Sequence, residues 1–270
     1  MHTLVRRRRS PGFTAASLRP DALPMGHVLN IDWFRMSEPT FPPHPHAGFS
    51  AVTWMLPWSE GSFTNRDSRG DRSRIVPGSL HWTLAGSGVL HEEIPERPGV
   101  ACEGLQIFVK LPERREAMAP RSFHLAPDEL PTRELPGATA RVLVGEFGGL
   151  SSPIPSYAGI TMLHVDVHGA LELAIPDAVE AFVIVLRGVG TIDGRASEPE
   201  VARSLTPGWT HRIAGRSLAM LVAWSESLPS MPFFVGPLCM FKGERLTAAQ
   251  AAYARGEMGQ LTPSDVRWVR

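Results

Sequence analysis

Cysteine is nearly absent from this chain: there are two in 270 residues, Cys102 and Cys239, with no CxxC spacing. That argues against a disulfide framework and a zinc-ribbon site, and it fits a reducing compartment. No apolar run is long enough for a membrane-spanning helix. Excess charge of either sign is missing too, since 27 Lys+Arg balance 27 Asp+Glu. Direct nucleic-acid binding needs a basic footprint and is therefore not expected. One local block, Arg6–Arg9, breaks the balance. No apolar stretch follows it, so it does not read as a signal peptide. The sequence predicts a solvated tail over residues 1–24 and a cytoplasmic, monomeric protein.

What the chain does have is punctuation. Its 25 glycines and 25 prolines are spread throughout, as suits many short strands joined by tight turns. Strands are expected at 26–34, 49–56, 61–66, 80–84, 89–91 and 104–111, several of them β-branched, aromatic or alternating. A second set is expected at 140–147, 160–167, 170–175, 181–186, 190–193 and 218–224. LTPGWTH echoes IVPGSLH, a weak internal repeat with a histidine three residues after the glycine. The expectation is an all-β protein of two related β-barrels: an N-terminal one over 1–115, a linker over 116–136 and a C-terminal one over 137–270. Only TAAQAAYAR breaks the pattern and predicts a short helix from Thr247, its N-cap, to Arg255, closed by Gly256.

Two pairs of residues point to chemistry. His44 and His46 flank Pro45, and His91 is two residues from Glu93. On a strand each pair shares a face, so two strands side by side bring three imidazoles and a carboxylate to one divalent metal. That set suits iron, manganese, nickel, copper or zinc and leaves positions open for water or substrate. His164 and His168 also share a face, but at strand rise they lie roughly 13 Å apart, too far for one metal. His211 has no HxH partner, so a second metal is not expected.

The stretches HPHAGFSAVTWML, NRDSRGDRSRIVPGSLHWTLAGSGVLHEEIP and GPLCMFKGERLTAAQAAYARGEMG resemble the pirin family of the cupin superfamily. The resemblance covers both halves and is most specific in the first. It implies a bicupin, two antiparallel jelly-roll barrels stacked face to face. It also implies one metal, usually iron, held in the N-terminal barrel by His44, His46, His91 and Glu93. Some family members act as quercetin 2,3-dioxygenases, and animal members are described as nuclear, redox-sensitive co-regulators. The chain departs from the family pattern at Ser50, where glutamate is expected, at Asn65, where histidine is expected, and at His81, where glutamine is commoner. Generic cupin counting makes His81 a rival to His91 as ligand, and the pirin pattern favours His91.

These readings predict an Fe(II)-dependent dioxygenase acting with O2 on a small aromatic, flavonol-type substrate. Glu93 is the expected proton acceptor, and Phe49, Trp54, Met55 and Trp82 are candidates for an apolar mouth. The competing class is a non-enzymatic, metal- and redox-dependent regulator that docks a protein partner.

Overall fold

The computed structural model describes residues 1–262 and 264–266. It is an all-β, jelly-roll-like protein with a single α-helix among the described residues, Gly243–Ala254. The chain divides into two compact units. One comprises Met1–Val5, Leu18–Leu29 and Glu129–Leu228, and the other comprises Arg6–Ser17, Asn30–Asp128 and Pro229–Arg270. These boundaries differ from the sequence-based ones in a specific way. The C-terminal segment and its helix belong with the histidine-bearing unit, not with residues 137–228.

Each unit is built from an open seven-stranded and an open four-stranded antiparallel sheet, with a two-stranded ribbon beside them. In the histidine-bearing unit the large sheet runs, in spatial order, Arg121–Leu125, Leu80–Leu84, Phe49–Met55, Cys102–Lys110, Val28–Met36, Phe13–Leu18, Arg6–Ser10. Its small sheet runs Phe41–His46, Val89–Pro95, Phe63–Asp67, Arg74–Ile75. Phe49–Met55 is buried along its whole length, which explains its continuous apolar and β-branched composition. Trp54, Trp82, Phe49 and Met55 are all at most 1% exposed. Burial of such side chains stabilises the unit by about 1.5–3 kcal/mol each.

The other unit repeats the plan. Its core gathers Leu163, Val165, Val183, Val185, Met220 and Val222 from strands Thr161–Val167, Glu180–Arg187 and Leu218–Ser225.

Three local expectations need correction. The tail expected over 1–24 contains strands His2–Thr3, Arg6–Ser10 and Phe13–Leu18. Arg6–Ser10 is the outermost strand of its sheet, and arginine there keeps an open edge soluble. The linker expected over 116–136 contains strands Arg121–Leu125 and Thr132–Leu135. The helix starts earlier than predicted, with Lys242 as N-cap and no side-chain cap. The Thr247 hydroxyl donates back to the Gly243 carbonyl at 3.1 Å, so it sits inside the helix rather than capping it. Gly256, at φ +75°, supplies the left-handed turn beyond the C-terminus.

Candidate metal centre

The strand Phe41–His46 reads FPPHPH, a composition that only the edge of a sheet tolerates, because proline has no N–H to donate. It occupies that edge and pairs with Val89–Pro95 alone. The register places His91 opposite His44 and Val89 opposite His46, with an irregularity between His91 and Glu93. His44 and His46 therefore share a face, and His91 stands across from them. The three ring centroids form a near-equilateral triangle with sides of 4.5, 4.8 and 4.9 Å.

One nitrogen from each of these rings lies within 4.8 Å of the other two, a cluster able to hold a metal ion. The Glu93 carboxylate lies outside that cluster but lines the same cavity. His81 also stands outside it, on the large-sheet strand Leu80–Leu84, with its Nε2 3.2 Å from Thr83 Oγ1.

Electrostatics favour the ligand form of each ring. Burial lowers the pKa of His44, His46 and His91, the last two well below the ordinary value. Mutual repulsion of the rings adds to this at His46 and His91. The imidazoles are therefore neutral at physiological pH and retain a lone pair for a metal. Their other nitrogens are partly committed: His44 Nδ1 is 2.8 Å from the Pro42 carbonyl, and His91 Nδ1 is 2.9 Å from Asn65 Oδ1. His91 Nε2 and His46 Nδ1 are buried without a hydrogen-bond partner. Buried polar atoms are normally satisfied, so orphans on two clustered rings fit an ion as the missing partner. Burial also drives Glu93 up to about 7, although the Thr53 hydroxyl, 3.3 Å away, opposes the shift.

The cavity in front of the rings has a volume of about 110 Å³. Its apolar wall consists of Phe13, Phe34, Met36, Phe41 and Phe108, and Asp32 and Gln106 add polar groups. None of the four residues expected at an apolar mouth lines it: Phe49, Trp54, Met55 and Trp82 are core. The actual lining was accessible to period-two reasoning. Asp32, Phe34 and Met36 alternate along one strand, and Gln106 and Phe108 along another. Ser50 does not line the cavity either; it is fully buried and its hydroxyl has no hydrogen-bond partner.

In the other unit, His211 donates from Nδ1 to Asp193 Oδ2 at 2.7 Å and accepts the Thr206 N–H at Nε2, 3.0 Å away. Both of its nitrogens are committed to the fold. His164 Nε2 is 3.3 Å from Asp166 Oδ1, and His168 is exposed.

The family model described as Pirin matches residues 7–109. A pirin-like protein of Caulobacter vibrioides is 31% identical over 234 residues, covering 82% of this chain and 80% of its own length. The chain belongs to the pirin family.

Solved structures share its fold. A quercetin 2,3-dioxygenase from Acinetobacter baumannii matches with a TM-score of 0.84 at 22% identity over 96% of each chain. A bacterial pirin from Escherichia coli, solved in complex with nickel(II), matches at 0.66 and 15% identity, covering 83% of this chain and 95% of that one. No helix among the described residues is long and apolar enough to cross a membrane.

Proposed function

We propose that this pirin-family cupin binds one divalent metal, iron, through His44, His46, His91 and Glu93, and uses it in a dioxygenase reaction on a flavonol-type substrate. The observation that carries the reading is the triangle of three neutral imidazoles facing a cavity walled by phenylalanines. A bound divalent ion would supply Lewis acidity and redox chemistry there.

The chain's own groups supply the rest. Phe34, Phe41 and Phe108 offer flat apolar surface to an aromatic ring and exclude water from it. Glu93 lines the same cavity beside the Thr53 hydroxyl, 3.3 Å away, and is placed to take the proton of an acidic phenolic hydroxyl. Asp32, positioned by Ser17 at 2.5 Å and Asn30 at 3.1 Å, offers a carboxylate to a second hydroxyl. The substrate class follows the Acinetobacter relative's name and agrees with this pairing of apolar wall and acidic groups.

A second reading, a metal-dependent regulator without turnover, is favoured by a different observation. Met231, Phe233, Phe234 and Val235 form an exposed apolar run next to the strand Leu238–Met240, the kind of surface that marks a protein contact.

One experiment separates the two: elemental analysis of purified protein, then an anaerobic incubation with quercetin followed by admission of air. About one iron per chain with oxygen-dependent loss of quercetin is the expected result. Metal without turnover transfers the site to the regulatory reading, and absence of any metal refutes both.

A further inference from the structure

The turn after the Phe63–Asp67 strand is organised by two carboxylates. Asp67 Oδ1 accepts the N–H groups of Arg69 and Asp71 at 2.8 and 2.9 Å, and its Oδ2 accepts the Ser122 hydroxyl at 2.7 Å. Asp71 accepts from Ser73 twice, from the backbone N–H at 3.1 Å and from the hydroxyl at 2.7 Å. Its carboxylate is thereby held facing inward, where it accepts the Asn65 side-chain N–H at 2.8 Å. Asn65 is fully buried, and its N–H donates to the Ser73 carbonyl at 2.9 Å. The other end of its amide meets His91 Nδ1 at 2.9 Å.

We infer that Asn65, oriented by Asp71, is a positioning residue that fixes the tautomer of His91 and so makes His91 Nε2 a metal ligand. The inference rests on the metal reading proposed above.

An amide oxygen only accepts, so the proton of neutral His91 must sit on Nδ1 and the lone pair on Nε2. An amide turned end for end would present its NH2 to Nδ1, drive the proton onto Nε2 and close that nitrogen to a metal. Such a turn would also set the amide oxygen against the Asp71 carboxylate, acceptor against acceptor. Asp71 thus chooses the amide orientation, and the amide chooses the tautomer. Nothing in this chain of contacts touches the other two histidines.

The test uses the full-length protein. Ring-nitrogen NMR of the metal-free form reads the His91 tautomer, and Co2+ titration followed by visible absorption reads affinity. Wild type should show the proton on Nδ1. Asn65→Leu removes the acceptor, and His91 should then populate the Nε2–H tautomer with Co2+ affinity lowered about ten- to a hundredfold. Asp71→Asn touches neither His91 nor the ion, yet it should mix the tautomers and weaken Co2+ in the same direction. This variant keeps the idea testable if Asn65→Leu fails to fold. The double variant should bind no more weakly than Asn65→Leu alone, because both changes act through one contact. His81→Gln removes the ring facing Asp71 and should leave both readouts as in wild type.

Retention of Nδ1–H and full affinity in Asp71→Asn would overturn the inference, as would an equal loss in His81→Gln. If wild type itself takes up no Co2+, the metal reading falls, and the tautomer spectra still decide the role of Asn65.

Discussion

His81 offers a quantitative test of how this unit is held together. The ring is 2% exposed on the strand Leu80–Leu84, with Asp71 Oδ2 3.8 Å from its Nε2. Burial lowers its pKa from 6.5 to about 4, an effect that outweighs the attraction of Asp71. A histidine whose folded pKa is depressed contributes stability above its unfolded pKa, and that stability is lost as pH falls toward the folded value. Below 6.5 the unfolded chain takes up a proton that the native ring refuses. Stability then drops by up to about 1.4 kcal/mol per pH unit until about pH 4. The two limits imply a total of about 3 kcal/mol, of which about 2 kcal/mol is already lost at pH 5.

The perturbation is His81→Gln, which fills similar space and does not titrate. The assay is urea unfolding of metal-free protein at pH 7 and pH 5, a window above the titration of Asp71, whose own pKa lies below 3.8. Groups that do not couple to His81 are common to both proteins and cancel in the difference, whereas Asp71 and His91 feel its charge. Relative to wild type, His81→Gln should gain about 2 kcal/mol on going from pH 7 to pH 5. A stability gap between the two proteins that does not change with pH would refute the reasoning. The same variant should bind metal as wild type does; loss of metal would make His81 the ligand that cupin counting suggests.

Further predictions concern the centre and its support. His91→Ala should abolish metal uptake measured by elemental analysis, while His211→Ala, whose ring is committed to Asp193 and Thr206, should leave it unchanged. Glu93→Gln should lower the rate of quercetin loss at least a hundredfold if this carboxylate accepts the substrate proton, and an unchanged rate would remove it from catalysis. Lys110→Met should cost about 3 kcal/mol in urea unfolding. It strips the Gly48 and Leu111 carbonyls and the buried Glu116 carboxylate of one shared donor, 2.8, 3.3 and 2.5 Å from Nζ.

Much of the fold was legible because alternation and burial go together. Phe49–Met55, Leu80–Leu84 and Cys102–Lys110 appear within a residue or two of where β-branched and aromatic runs place them. The misses have a common physical origin. Arg6–Ser10 carries no apolar signal, because an edge strand needs a backbone partner rather than a buried face, and it finds one in Phe13–Leu18. Thr247 looks like a cap by residue type, but its hydroxyl finds a carbonyl one turn back and the helix begins upstream of it. At the centre, the spacing of His44, His46 and His91 announces a shared face, and the pairing of their two strands delivers it. The cavity wall is harder to read, because the largest aromatics are the residues most completely enclosed by the core and the wall is left to Phe13, Phe34, Phe41 and Phe108.

Spacing alone has a limit, and the repeated PGxxH turn shows where it lies. The same pattern places His81 in one unit and His211 in the other. His211 has both ring nitrogens engaged, by Asp193 and by Thr206. His81 is buried with Nε2 near Thr83 and Asp71 and with Nδ1 unpartnered, but it stands outside the cluster of rings able to hold an ion. His91 belongs to no such repeat, yet it keeps Nε2 without a partner beside two other neutral rings. Whether a buried histidine can ligate a metal or braces a fold depends on which of its nitrogens the neighbours consume and on what other ligands stand beside the free one. Those neighbours are distant in sequence: Asn65 lies 26 residues from His91 on a paired strand, and Asp193 lies 18 from His211, in the turn after Gly190–Ile192. A motif records the ring, and the pairing of strands decides how the ring is used.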